Sequence, residues 1–118
     1  MNHGEKKIAK IIEELTMYFF TMGATHMESG ITIREQTVTI QFRSDYESPY
    51  REDLNKLGEY LNEPKNEGIE DFYWELAGSG DPGETSQLLL VGMMIDSAEV
   101  DITDTEVTLT LYKKLKEQ

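Results

Sequence analysis

Apolar positions recur with a helical period at the start of the chain. Ile8, Ile11, Ile12, Leu15, Phe19 and Met22 fall on one stripe, while Glu13, Glu14 and the lysines take other faces. The spacing predicts a helix from about Glu5 to Met22, stopped at Gly23. The period then changes to two. Ile31 and Ile33 alternate with Thr32 and Arg34, and Val38, Ile40 and Phe42 alternate with Thr39 and Gln41. This reads as a hairpin turned by "REQT", which lacks the Asn-Gly signature and leaves the turn type open.

The middle of the chain reads as helical. In "ESPYREDLNKLGEYLNEP" Ser48 is the expected cap, Pro49 the first helical residue and Pro64 the stop, with Tyr50, Leu54, Leu57 and Leu61 on one face. A short helix is predicted over "NEGIEDFYWELAG", carrying Ile69, Phe72, Tyr73 and Leu76 inward and leaving Trp74 off the stripe. "GSGDPGET" is a loop. A helix through Met94 follows, then strands around Val100 and Ile102 and around Val107, Leu109 and Leu111, and a polar tail "KKLKEQ".

The two ends of the chain match at one constant offset. Ile31 and Ile33 fall on Val100 and Ile102; Val38, Ile40 and Phe42 fall on Val107, Leu109 and Leu111; Phe19, Phe20 and Gly23 fall on Leu88, Leu89 and Gly92. Two helix–strand–strand units are therefore expected. Neither closes a core alone, but side by side they form one sheet under a layer of helices. The expected fold is a single α+β domain over residues 1–118, a two-layer sandwich. Its sheet is mixed or antiparallel, with four or five strands and helices on one face. Thr37, Thr39, Gln41, Thr108 and Thr110 should line the uncovered face, as solvent-exposed surface or as a flat docking surface.

Charge and composition narrow the function. With 23 acids against 11 bases, the 118 residues carry a net charge of −12. Nucleic acid and anionic membrane are disfavoured as partners, because both need a cationic surface. A basic protein partner is permitted. There is no cysteine, so disulfides and thiolate metal sites are excluded. No apolar run reaches the length of a membrane span and the first residues do not read as a secretory signal, which makes the cytoplasm the expected location.

Read residue by residue, the chain offers little chemistry. His26 and Glu28 in "THMES" lack a third partner for a metal. Asp96, Glu99, Asp101 and Asp104 form an acidic run without the spacing of a calcium loop. No serine is paired with a recognisable base.

The segments "GMMIDSAEVDITDTEVTLTLYKKL" and "IIEELTMYFFTMG" resemble the end and the N-box helix of GHKL ATPase domains, most nearly the small anti-sigma factor serine kinases. The resemblance covers about residues 5–44 and 84–115. It implies the histidine-kinase-like ATPase fold, with Glu14 at the general-base position. It also implies three nucleotide features that this chain alters. The Asn that holds Mg²⁺ falls on Tyr18. The Asp-x-Gly-x-Gly stretch that reads adenine falls on "FRSDYESPY", which keeps Asp45 but no glycine. The Gly-x-Gly at the last helix falls on Thr85, Ser86 and Gln87. Gly80 and Gly83 lie just upstream, beside Asp81 and Glu84, whose charge opposes a triphosphate. A like-charge contact near 4 Å costs on the order of 4 kcal/mol at an effective dielectric of about 20.

The leading expectation is therefore a pseudo-ATPase: a non-catalytic, GHKL-like cytosolic regulatory domain that binds protein, with no cofactor, metal or catalytic residue. Its partner would be a basic protein or a regulatory factor, and a homodimer is compatible with the chain. The alternative is an anti-sigma-factor-type serine kinase or ATPase using ATP with Mg²⁺, with Glu14 as base, Asp45 at adenine, and Gly80 and Gly83 at phosphate. A small-molecule sensor, with an apolar pocket under the middle helices, is a third reading.

Overall fold

The computed structural model describes residues 3–62 and 84–115. The first helical stripe folds as α1 (His3–Thr21). It buries Ile8, Ile11, Leu15, Phe19 and Met22, as its spacing predicts, with Ile12 at the margin. It buries Tyr18 and Glu14 as well. Gly23 ends the helix at φ 79°, in the left-handed region, and an added Cβ would lie 2.5 Å from the Glu47 side chain. Only glycine takes that conformation without cost.

Strands β1 (Met27–Arg34) and β2 (Thr37–Asp45) form the first hairpin. Strands β3 (Ser97–Ile102) and β4 (Glu106–Lys114) form the second. The sheet runs β1-β2-β4-β3 and every neighbouring pair is antiparallel. This is a two-layer α+β sandwich. At the centre, Ile40 faces Leu111 and Phe42 faces Leu109. The repeat pairs Ile40 with Leu109 and Phe42 with Leu111, so the two units meet about a pseudo-twofold axis between β2 and β4. All four side chains are buried. Thr37 and Gln41 on the other face are exposed, and Thr39, Thr108 and Thr110 are half-buried, as alternation in a sheet with one covered face requires.

The middle segment departs from expectation. In place of one helix from Ser48 there are two 3-10 turns, Ser48–Tyr50 and Asp53–Lys56, and then a short helix α2 (Leu57–Leu61). Ser48 is not the cap: Glu47 holds that position in extended conformation and makes no side-chain capping bond. Asp53, Asn55 and Gly58 are poor helix formers, so the backbone tightens instead of propagating an α-helix. The apolar face survives, with Leu54, Leu57 and Leu61 fully buried. The short helix predicted over "NEGIEDFYWELAG", with Trp74, and the predicted loop as far as Gly83 lie outside the described residues.

Helix α3 (Glu84–Met94) completes the layer. Its Gly92 sits against the end of α2, where an added Cβ would lie 2.9 Å from the Tyr60 carbonyl oxygen and 3.0 Å from that of Leu61. The two glycines matched by the repeat thus serve different purposes: one ends a helix and the other lets two helices touch. The expected polar tail is partly strand. β4 extends to Lys114, Lys113 Nζ donates to the Met94 carbonyl, and Leu115 packs on the core.

The two edge strands are treated unequally. Val100 and Ile102 of β3 are half-buried, with Gly58 of α2 next to Val100. Ile31 and Ile33, expected to be core residues, are 48% and 51% exposed. Register places them opposite the buried Ile40 and Val38, so they point to the helical side of the sheet. Among the described residues, no counterpart of α2 covers them. Among the described residues, no helix is long and apolar enough to cross a membrane.

Candidate functional site

A cavity of about 520 Å³ opens between the C-terminal turns of α1, the 3-10 turns, α2 and α3. Each wall follows from the local sequence. Tyr18 is one turn beyond Glu14 on the margin of the α1 stripe, so its ring enters the core while its edge borders the cavity. It is 3% exposed and meets Phe19 edge-on, ring centroids 5.2 Å apart. The 3-10 turns keep Leu54 inward and so turn Glu52, Asp53 and Lys56 toward the opening, with Tyr50 and Tyr60 beside them. Leu88 of α3 lines the far wall.

The wall is chemically mixed. Three phenol rings offer apolar bodies with hydroxyl ends, a form suited to ring-shaped or hydrogen-bonding ligands. The charged members are two carboxylates and one ammonium, and the chain as a whole carries −12. Such a wall attracts cationic groups and opposes a polyphosphate. Of the seven wall residues named here, only Tyr18 stood out in the sequence as part of a site. "YREDLNKLGEY" reads simply as the polar side of a helix, and the available signal was its pair of tyrosines flanking three acids.

Among the described residues, neither Glu14 nor Asp45 lines this cavity. Glu14, expected on a face away from the apolar stripe, is 3% exposed. Its Oε1 lies 2.9 Å from Lys10 Nζ, and among the described residues Oε2 has no hydrogen-bond partner. The reason is rotation of the helix, which carries position 14 to the buried side next to Tyr18. A buried carboxylate oxygen without a partner costs about 1–3 kcal/mol. Glu14 is not among the residues lining the cavity.

Asp45 has a different task. Its carboxylate accepts hydrogen bonds from the Thr25 N–H at 2.7 Å, the Thr25 hydroxyl at 2.5 Å and the His26 N–H at 3.1 Å. It pins the α1–β1 loop to the end of β2. The Thr25 hydroxyl, then the two backbone N–H groups, hold its pKa below the ordinary 3.8. Gly80 and Gly83 lie outside the described residues.

The pinning makes a pH-dependent prediction. A depressed carboxylate stabilises the fold above its unfolded pKa, and that contribution disappears as pH falls through the lower folded value. Asp45→Ala should cost about 1–2 kcal/mol at pH 7, the smaller range reflecting access of solvent to the carboxylate. The gap to the wild type should narrow as pH falls below the ordinary 3.8 and through the lower folded value. Urea titrations at pH 7 and pH 2.5 measure both; a gap that persists in acid means the charge of Asp45 is not what holds the loop.

Four of the remaining candidates, His26, Glu28, Asp96 and Glu99, are occupied locally. His26 Nε2 lies 3.0 Å from Glu28, which also pairs with Arg43. The Arg43 contact, followed by that of His26, lowers the pKa of Glu28. In the acidic run, Asp96 accepts the Lys114 N–H at 2.7 Å and Glu99 accepts the Tyr112 hydroxyl at 2.5 Å. Among the described residues no three potential ligands converge on a metal position.

Fold and cavity together define a class: a two-layer α+β domain with a polar, aromatic-edged cavity at one end of its helical layer. No protein-family model, curated protein or solved structure matches the chain.

Proposed function

We propose that this chain is a non-catalytic, GHKL-like regulatory domain that acts by binding protein. The observation that carries the reading is Tyr18. At the position where the family resemblance calls for a magnesium-holding amide stands a phenol packed into the core. A hard cation needs an oxygen ligand presented to it with its charge compensated. The Tyr18 phenol, packed edge-on against Phe19, puts an aromatic ring where the amide's carbonyl oxygen would be. Glu52 and Asp53 on the cavity wall add negative charge where a magnesium-nucleotide would need positive groups. The protein-binding half of the reading rests on exposed apolar side chains: Met17 and Phe20 on α1, Ile31 and Ile33 on β1.

One observation favours the rival reading, an ATP-dependent serine kinase or ATPase. Glu14 is buried, and among the described residues one of its oxygens has no hydrogen-bond partner, the kind of unsatisfied group that a catalytic role explains. Thermal unfolding with and without Mg-ATP separates the two. A nucleotide at a hundredfold excess over its Kd stabilises the fold by about 2.7 kcal/mol. The expected result is no shift with millimolar Mg-ATP. A magnesium-dependent rise in Tm that Glu14→Gln alters would overturn the proposal and establish the rival.

A further inference from the structure

The two edges of the sheet differ in a way that points to a partner. At β3 the side-chain amide of Asn62 closes the edge: its Nδ2 donates to the Ala98 carbonyl at 3.1 Å and its Oδ1 accepts the Ala98 N–H at 3.0 Å. The same strand has α2 over its inward face. At β1 neither device is present among the described residues. Among the described residues no hydrogen bond reaches the outer edge of β1, and Ile31 and Ile33 stand half-exposed on the face whose neighbours Ile40 and Val38 are fully buried. Alternate residues of an antiparallel edge strand direct their N–H and C=O groups outward. An edge with free backbone groups and apolar side chains is a template for another strand.

The sequence of β1 selects the occupant. We infer that β1 pairs antiparallel with β1 of a second copy of this chain, about a twofold axis through Ile31, joining the two sheets into one of eight strands. In this register Ile31 faces Ile31 of the second copy, Ser29 faces Ile33, Gly30 faces Thr32 and Glu28 faces Arg34. Residues of like parity oppose one another, so both inward faces lie on the same side of the joined sheet. Both charged pairs are of opposite sign. Arg34 makes no ion pair among the described residues, and the Glu28 carboxylate, already facing Arg43 and His26, has further lone pairs to offer. The contact is isologous, because each copy contributes the same strand. Glycine at position 30 leaves space beside the central isoleucines on the opposite face.

This inference builds on the protein-binding reading and is independent of nucleotide loss. An extended segment of another protein could use the same edge, but its recognition would not require β1 to be complementary to itself. The net charge of −12 works against self-association at long range, so the local match must outweigh it.

Sedimentation equilibrium of the full chain at physiological salt tests the pairing. The expected species at tens of micromolar has twice the 13.6 kDa chain mass. Ile33→Asp, and separately Arg34→Glu, should raise the dimer Kd tenfold or more while leaving the circular dichroism spectrum unchanged. The register is tested with cysteines, which the native chain lacks. Ile31→Cys should oxidise to a covalent dimer, since directly opposed Cα atoms lie about 4.5–5.5 Å apart, within disulfide reach. Ser29→Cys should not cross-link by itself but should do so when mixed with Ile33→Cys. A monomer at all concentrations, or a dimer that none of these variants affects, overturns the inference. A dimer whose Tm rises with Mg-ATP leaves this inference standing and overturns only the claim of nucleotide loss.

Discussion

Replacing Gly92 by valine is expected to destabilise the domain by about 3 kcal/mol. In an exposed helix, glycine is a poor choice, and alanine in its place gains about 1 kcal/mol. Gly92 is not in that setting. A Cβ there would stand 2.9 Å and 3.0 Å from two backbone carbonyl oxygens of α2. Backbone atoms cannot rotate aside as a flexible side chain does, so either the helices separate or the oxygens lose their geometry. Gly92→Ala therefore sets a helix-propensity gain against an overlap, and a net loss of about 1 kcal/mol is expected. Valine adds two methyl groups and forfeits the propensity gain. Urea denaturation of the two variants measures both. Stabilisation by alanine would mean that α2 and α3 do not touch here.

The consequences of that contact reach the sheet. The residue after α2 is Asn62, whose amide closes the β3 edge at Ala98. Displacing the end of α2 should therefore release β3 while β1 and β2 keep their pairing. Hydrogen exchange of the Ala98 amide reads this directly, because local opening of an edge precedes global unfolding.

Much of this architecture was legible in the chain. The stripe from Ile8 to Met22, the two alternating hairpins and their match at a constant offset predicted a sheet assembled from two equal units. The pseudo-twofold pairing of Ile40 with Leu111 and of Phe42 with Leu109 bears out that expectation. What the pattern could not convey was coverage. Ile31 and Val100 look alike in sequence, yet only Val100 has α2 next to it, because the inserted segment is attached after the first hairpin and returns over the second. The break of the middle helix into 3-10 turns depended on weak propensities summed over a few residues. The cavity was invisible for a related reason: its residues are polar positions of an apolar stripe, ordinary until the turns bring them together. Asp45 illustrates the same limit. Its partners, Thr25 and His26, are distant in sequence, and nothing local to "RSDYES" indicates that its carboxylate holds a loop.

The largest effect is expected from Phe42→Ala. Phe42 is 2% exposed in the central strand, faces Leu109, and stacks on Phe19 of α1 with ring centroids 5.6 Å apart. Truncating a buried phenylalanine costs about 3–5 kcal/mol in lost transfer energy and cavity formation. Total stability for a domain of this class is about 5–15 kcal/mol, so a Tm decrease on the order of 10 °C or more should follow. Phe20 is the internal control. It is 60% exposed on the opposite side of the same helix, and Phe20→Ala should leave the midpoint of a dilute, monomeric sample within about 0.5 kcal/mol. The contrast has a functional edge. Phe42 seats α1 on the sheet through Phe19, and the next residue of α1, counting back, is Tyr18 at the cavity. Loosening that seat should make the cavity wall mobile before the fold is lost. Near-ultraviolet circular dichroism of the tyrosines should therefore decline at lower urea than the far-ultraviolet signal in Phe42→Ala, while the two coincide in the wild type. Coincident loss in the variant would show that the cavity and the core melt as one unit, with Tyr18 held by neighbours other than Phe19.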